Sequence, residues 1–160
     1  MSIRAPSPAK KTSPQTGKVP VIPPKTGDKY RVSARWSEKL AKGGFVPVVQ
    51  DFLDHYHALK PYNLTHSEAM FVIHLIRYKW DESAPYPGYK ALAKQMGVSD
   101  KSARRYAQSL EQKRYLRRQV RVGQTNRFDL NALIVALERH VTEVARAKAA
   151  ASKSRQEASS

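Results

Sequence analysis

One glycine constrains the fold more than any other position. Gly97 stands between Met96 and Val98, where an apolar helical pattern stops and a new one begins. Leu92 and Met96 lie one helical turn apart, and Ala93 is small where a second helix has to cross closely. At Gly97 a tight turn requires a positive φ, which glycine adopts without steric cost. Val98 then offers an apolar plug, and Ser99 can cap a second helix expected from about Ser99 to Lys113. Within that helix Ala103, Tyr106, Ala107 and Leu110 share one side. Lys101, Arg105, Gln108 and Gln112 fall on the other side, with Arg104 on its flank. The rest of the chain must build around two helices joined by a sharp turn.

Upstream, Val48, Val49, Phe52, Leu53, Tyr56 and Leu59 recur at helical spacing, with Pro47 suited to the first turn. Pro61 and Asn63 end this additional N-terminal helix. Thr65 and Glu68 have the spacing of a capping box, and Phe71, Val72, Leu75 and Ile76 form the buried stripe of a helix expected to stop near Trp80. The segment Ser83, Ala84, Pro85, Tyr86, Pro87, Gly88 cannot remain helical. Trp80 and Tyr86 are expected to pack in the core rather than to stack on a base.

Downstream, Leu116, Val120 and Val122 alternate with Arg117, Gln119 and Arg121, which is strand periodicity. Gly123, Gln124, Thr125 and Asn126 provide a turn before Arg127, Phe128, Asp129 and Leu130 return as a second strand. A last helix, capped by Asn131, carries Leu130, Ile134, Leu137, Val141 and Val144, a stripe that closes the core or pairs two copies into a homodimer. Three parts are expected: a disordered, basic, proline-rich arm over 1–32, a domain over 33–144 and a flexible tail over 145–160. The arm either follows DNA or serves as a solubilising linker.

The chain carries 29 Lys and Arg against 13 Asp and Glu, a formal charge of +16, which calls for a polyanionic partner. Double-stranded DNA is the expected one. Arginine can donate two bonds to guanine and glutamine can pair with adenine, so Arg104, Arg105 and Gln108 are the candidate base readers. Lys101, Ser102, Arg117, Arg118, Arg121, Arg127, Lys10 and Lys11 are the candidate backbone contacts. No apolar run has the length of a membrane span, and the N-terminus lacks a secretory core, so a cytoplasmic, nucleoid-associated protein with no membrane partner is expected. The absence of cysteine excludes thiolate zinc sites, His55 and His57 read as surface residues, and no phosphate loop or nucleophile elbow occurs. Neither catalysis nor a cofactor is expected.

Leu92, Ala93, Gly97, Val98, Ser99 and Leu110, followed by Tyr115, Leu116, Thr125, Asn126 and Phe128, resemble a winged helix-turn-helix domain, similar to those of plasmid and phage replication proteins and bacterial transcriptional regulators. Ala103 and Tyr106 depart from the branched residues usual in such helices. The resemblance implies a mainly α fold, a three-helix core plus a β-hairpin wing, here with an extra N-terminal helix and a long C-terminal helix. It also implies duplex DNA as partner, at a replication origin or an operator. The competing reading is a winged-helix protein-interaction module of a replication, transcription, partition or transfer complex, in which DNA contact is secondary.

Overall fold

The computed structural model describes residues 32–160; Lys10, Lys11 and the rest of the arm up to residue 31 lie outside the described residues. Two compact units divide after Phe45. The described part of the first holds α1 (Val32–Arg35) and α2 (Glu38–Lys42), the latter capped by Ser37 and burying no residue. The expected domain start at residue 33 falls within this unit.

The second unit begins with α3 (Gln50–His55), continued by a 3-10 turn over Tyr56–Ala58. It is shorter than the helix expected from Pro47 to Leu59. Next comes α4 (His66–Ile76), opened by the expected capping box: the Thr65 hydroxyl accepts from the Glu68 N–H, and the Glu68 carboxylate accepts from the Thr65 N–H. Helix α4 ends at Ile76, short of Trp80. Then follow α5 (Tyr89–Met96) and α6 (Asp100–Gln112), with Ser99 capping the second through the Ser102 N–H. The boundaries of α6 agree with the expectation to within one residue at each end.

Helices α4, α5 and α6 pack pairwise into the three-helix core. Phe71, Leu75, Leu92, Ala103, Ala107 and Leu110 are all inaccessible to solvent there. Ala103 and Ala107 explain the departure from branched residues: with methyl side chains on the crossing face of α6, its neighbours approach closely. Tyr106 is half-buried against Phe71, with ring centroids 6.4 Å apart.

A two-stranded antiparallel hairpin, β1 (Arg117–Gln119) and β2 (Arg127–Asp129), follows α6. Phe128 enters the core from β2 and meets Phe71 and Tyr89 edge to face. The expected apolar alternation through Val120 and Val122 fails. Both lie beyond β1 and are exposed, at 74% and 100%. Three residues suffice to seat the hairpin, because its whole contribution to the core is Phe128.

The chain closes with α7 (Asn131–Ala158). Asn131 is its first residue rather than its cap; the Asp129 carboxylate accepts the Asn131 N–H instead. Leu130 and Leu137 lie in or against the core as expected, but Ile134 is exposed and the buried side is completed by Leu133, Ala136 and His140. The ring of His140 packs on His55 of α3, centroids 5.1 Å apart. Helical structure continues past Val144 to Ala158, through the stretch expected as a tail, with every residue from 145 exposed. No helix among the described residues is long and apolar enough to cross a membrane.

Candidate nucleic-acid interface

The geometry of the interface starts at the turn. Gly97 adopts φ +67°, and the Val98 N–H returns to the Ala93 carbonyl at 3.0 Å. This is the αL closure that ends a helix within one residue and redirects the chain. The same device ends α6: Arg114 has φ +61°, and the Tyr115 N–H reaches the Leu110 carbonyl at 3.0 Å. Both ends of α6 are therefore fixed by a change of backbone direction.

The flanks of α6 are fixed by polar contacts. On one side, Glu68 of α4 is buried and receives the Lys113 ammonium at 2.6 Å together with the Ser109 hydroxyl. Burial alone would raise the carboxyl pKa, but the bonds from Lys113, Ser109 and the Thr65 N–H outweigh it and hold Glu68 below its ordinary range. Lys113 also donates to the Asn63 carbonyl at 2.8 Å. Nearby, the buried Tyr115 hydroxyl donates to the Tyr62 carbonyl at 2.6 Å and accepts the Tyr62 N–H at 2.9 Å, tying the chain after α6 to the loop before α4.

On the opposite flank, Arg104 lies over the ring of Tyr89, its guanidinium carbon 4.6 Å from the centroid. The Tyr89 hydroxyl accepts from Arg118 Nη1 at 3.2 Å, and Arg118 Nε meets Glu111 at 3.3 Å. Arg118 stands opposite Phe128 in the hairpin register, so both point to the inner face. The Tyr89 hydroxyl, against a smaller cost of burial, and Glu111 shift Arg118 further toward its charged form.

What remains outward is Lys101, Arg105, Gln108 and Gln112, all exposed. Of the candidate base readers, Arg105 and Gln108 share this face, whereas Arg104 leans on the wing-side flank. Of the backbone candidates, Lys101 is free of ion pairs among the described residues, while the Ser102 hydroxyl accepts from Ser99. Arg117 and Arg127 occupy the outer face of the hairpin, with Arg117 opposite Asp129 and Arg127 opposite Gln119. Arg121 donates to the Thr125 carbonyl at 2.8 Å and stacks over Tyr86 at 5.3 Å. Tyr86 and Trp80 are exposed, at 48% and 57%, which corrects the expectation that they pack in the core. The hairpin instead holds the loop that carries Tyr86: the Tyr86 carbonyl accepts the Thr125 hydroxyl at 2.6 Å, and the Pro85 carbonyl accepts the Phe128 N–H at 2.8 Å.

Sequence reasoning missed Tyr89 and the second role of Glu68. For Glu68 a signal was present, since Ser109 and Lys113 are spaced to meet one acceptor from the flank of α6. No comparable signal marks Tyr89 as a partner of two arginines. Among the described residues no group of three or more His, Asp or Glu side chains is placed to hold a metal ion.

Residues 62–116 match the family model of a helix-turn-helix domain. The chain therefore contains a helix-turn-helix domain of the DNA-binding kind, and the two-stranded hairpin that begins at Arg117 fits a wing. No curated protein matched the chain.

Proposed function

We propose that this chain is a sequence-preferring binder of double-stranded DNA, with α6 in the major groove and the hairpin on flanking backbone or minor groove. The observation that carries this reading is the asymmetry of α6. Its inner face and both flanks are engaged within the fold, and the remaining face presents Lys101, Arg105, Gln108 and Gln112 to solvent. Arg105 and Gln108 have the donors and acceptors to read guanine and adenine edges. Arg104 can add to this from the wing side, and Lys101, Ser102, Arg117, Arg121 and Arg127 supply positioning contacts to phosphates. Arg118 serves the fold more directly than the backbone. In the cell this binding serves replication initiation or transcriptional regulation of a plasmid, phage or bacterial genome, without catalysis by the chain itself.

Two further features bear on partners. Val120 and Val122 at the hairpin tip are exposed apolar residues, which favours, as a second reading, a module that docks a replication or transcription protein through its wing. A homodimer through α7 would place two half-sites about one helical turn of DNA apart, or a multiple of that. Titration of random and selected duplexes at several salt concentrations tests the main reading. A preference among sequences supports it, and equal affinity for every duplex removes it. Selection of bound fragments from the source genome then distinguishes origin from operator.

A further inference from the structure

Tyr89, the first residue of α5, is 7% exposed and has no place on the outer face of the domain, yet it touches both elements assigned to DNA. Its ring face carries Arg104 of α6, its hydroxyl holds Arg118 of the wing, and it packs edge to face with Phe128, centroids 5.6 Å apart. Arg118 returns to α6 through Glu111, which lies two helical turns beyond Arg104 on the same flank. Arg104, Tyr89, Arg118 and Glu111 thus form a chain of contacts that starts and ends on α6.

A guanidinium held over an aromatic ring is attracted by the negative ring face, and those of its N–H donors that do not face the ring stay available. The stacking also removes rotamer freedom that a free arginine would lose on meeting a base. We propose that Tyr89 is a positioning residue for DNA readout: it presets Arg104 toward the wing-side edge of the major-groove site and locks that setting to the wing through Arg118. The proposal rests on the reading of α6 as the DNA-reading helix. It assigns part of the sequence preference to a residue that meets no DNA.

The test uses the full chain and a duplex obtained by selection, compared with duplexes altered at each base pair. Arg104→Ala identifies the base pair whose discrimination depends on Arg104. Tyr89→Leu, which removes the ring, is expected to lose discrimination at that same base pair by about fivefold to tenfold, with no further loss when combined with Arg104→Ala. Tyr89→Phe keeps the ring but releases Arg118, and is expected to retain that discrimination only in part, between the parent and Tyr89→Leu; full retention overturns the lock through Arg118. A folded Tyr89→Leu protein with full Arg104-dependent preference overturns the proposal, as does a loss that simply adds to that of Arg104→Ala. Should Tyr89→Leu not fold, NMR of the unmodified protein decides: upfield ring-current shifts of the Arg104 side-chain protons are expected, and random-coil shifts overturn the idea. If the unmodified protein shows no preference among duplexes, the reading of α6 fails while the NMR result on Arg104 and Tyr89 still stands on its own.

Discussion

Glu68 and Lys113 are joined by a 2.6 Å ion pair, so the carboxylate that caps the start of α4 also secures the end of α6. Substituting Glu68→Gln is expected to lower stability by about 2 kcal/mol, the scale of a charge-assisted hydrogen bond lost at a buried site. The pH dependence has a definite sign. Glu68 titrates below its ordinary value of 4.5 in the folded protein, so its contribution is complete above that value and is lost as pH falls through the lowered one. Denaturant unfolding from about pH 7 to about pH 3 should show a steeper acid loss for the parent than for Glu68→Gln. Parallel curves would contradict this account.

The two αL closures around α6 give opposite expectations. Gly97 has open space where a Cβ would stand, so Gly97→Ala meets no clash and pays only backbone strain, about 1 to 2 kcal/mol of destabilisation. Arg114 already bears that strain at φ +61°. Arg114→Gly is expected to stabilise by about 0.5 to 1 kcal/mol, because the relief exceeds the extra entropy of glycine in the unfolded chain. Thermal melts of the two variants should move in opposite directions.

Tyr115 satisfies both backbone groups of Tyr62 with one hydroxyl. Tyr115→Phe leaves both without that partner and should cost about 1 to 3 kcal/mol. Its lower melting temperature should come with an unaltered ranking of duplex sequences, since the residue is buried away from the exposed face of α6. A changed ranking would mean that the loop at Tyr62 takes part in binding.

Duplex titrations should separate reading from positioning. Arg105→Ala and Gln108→Ala are expected to flatten the preference at individual base pairs by about 1 to 3 kcal/mol each. Arg117→Ala and Arg127→Ala should instead weaken all duplexes alike, each reducing the salt slope by about 1. A loss of preference from the hairpin substitutions would place readout in the wing.

Much of the fold was legible because its signals are local. The Thr65 and Glu68 box, Gly97 and the Ser99 cap each act within a few residues, and α5 and α6 lie where they imply. The misreadings came from tertiary context. Ile134 looks more apolar than His140, yet His140 is the one covered, because α7 meets α3 through the ring of His55. Val120 and Val122 continue a strand pattern past the point where any core remains to receive them. For the site, the outward placement of Arg105 and Gln108 followed from helical periodicity. The attachment of Arg104 and Arg118 to Tyr89 joins residues far apart in sequence, and no spacing rule encodes it.

Because α6 is gripped by its flanks and its two ends, its outward residues are not asked to stabilise anything. Lys101, Gln108 and Gln112 take part in no ion pair among the described residues, and Arg105 meets the fold through the ring of Tyr106, 6.0 Å from its guanidinium carbon. If α6 reads DNA as proposed, such a mount lets target choice be re-engineered largely independently of folding: a new address can be written on the helix while the frame that carries it stays the same.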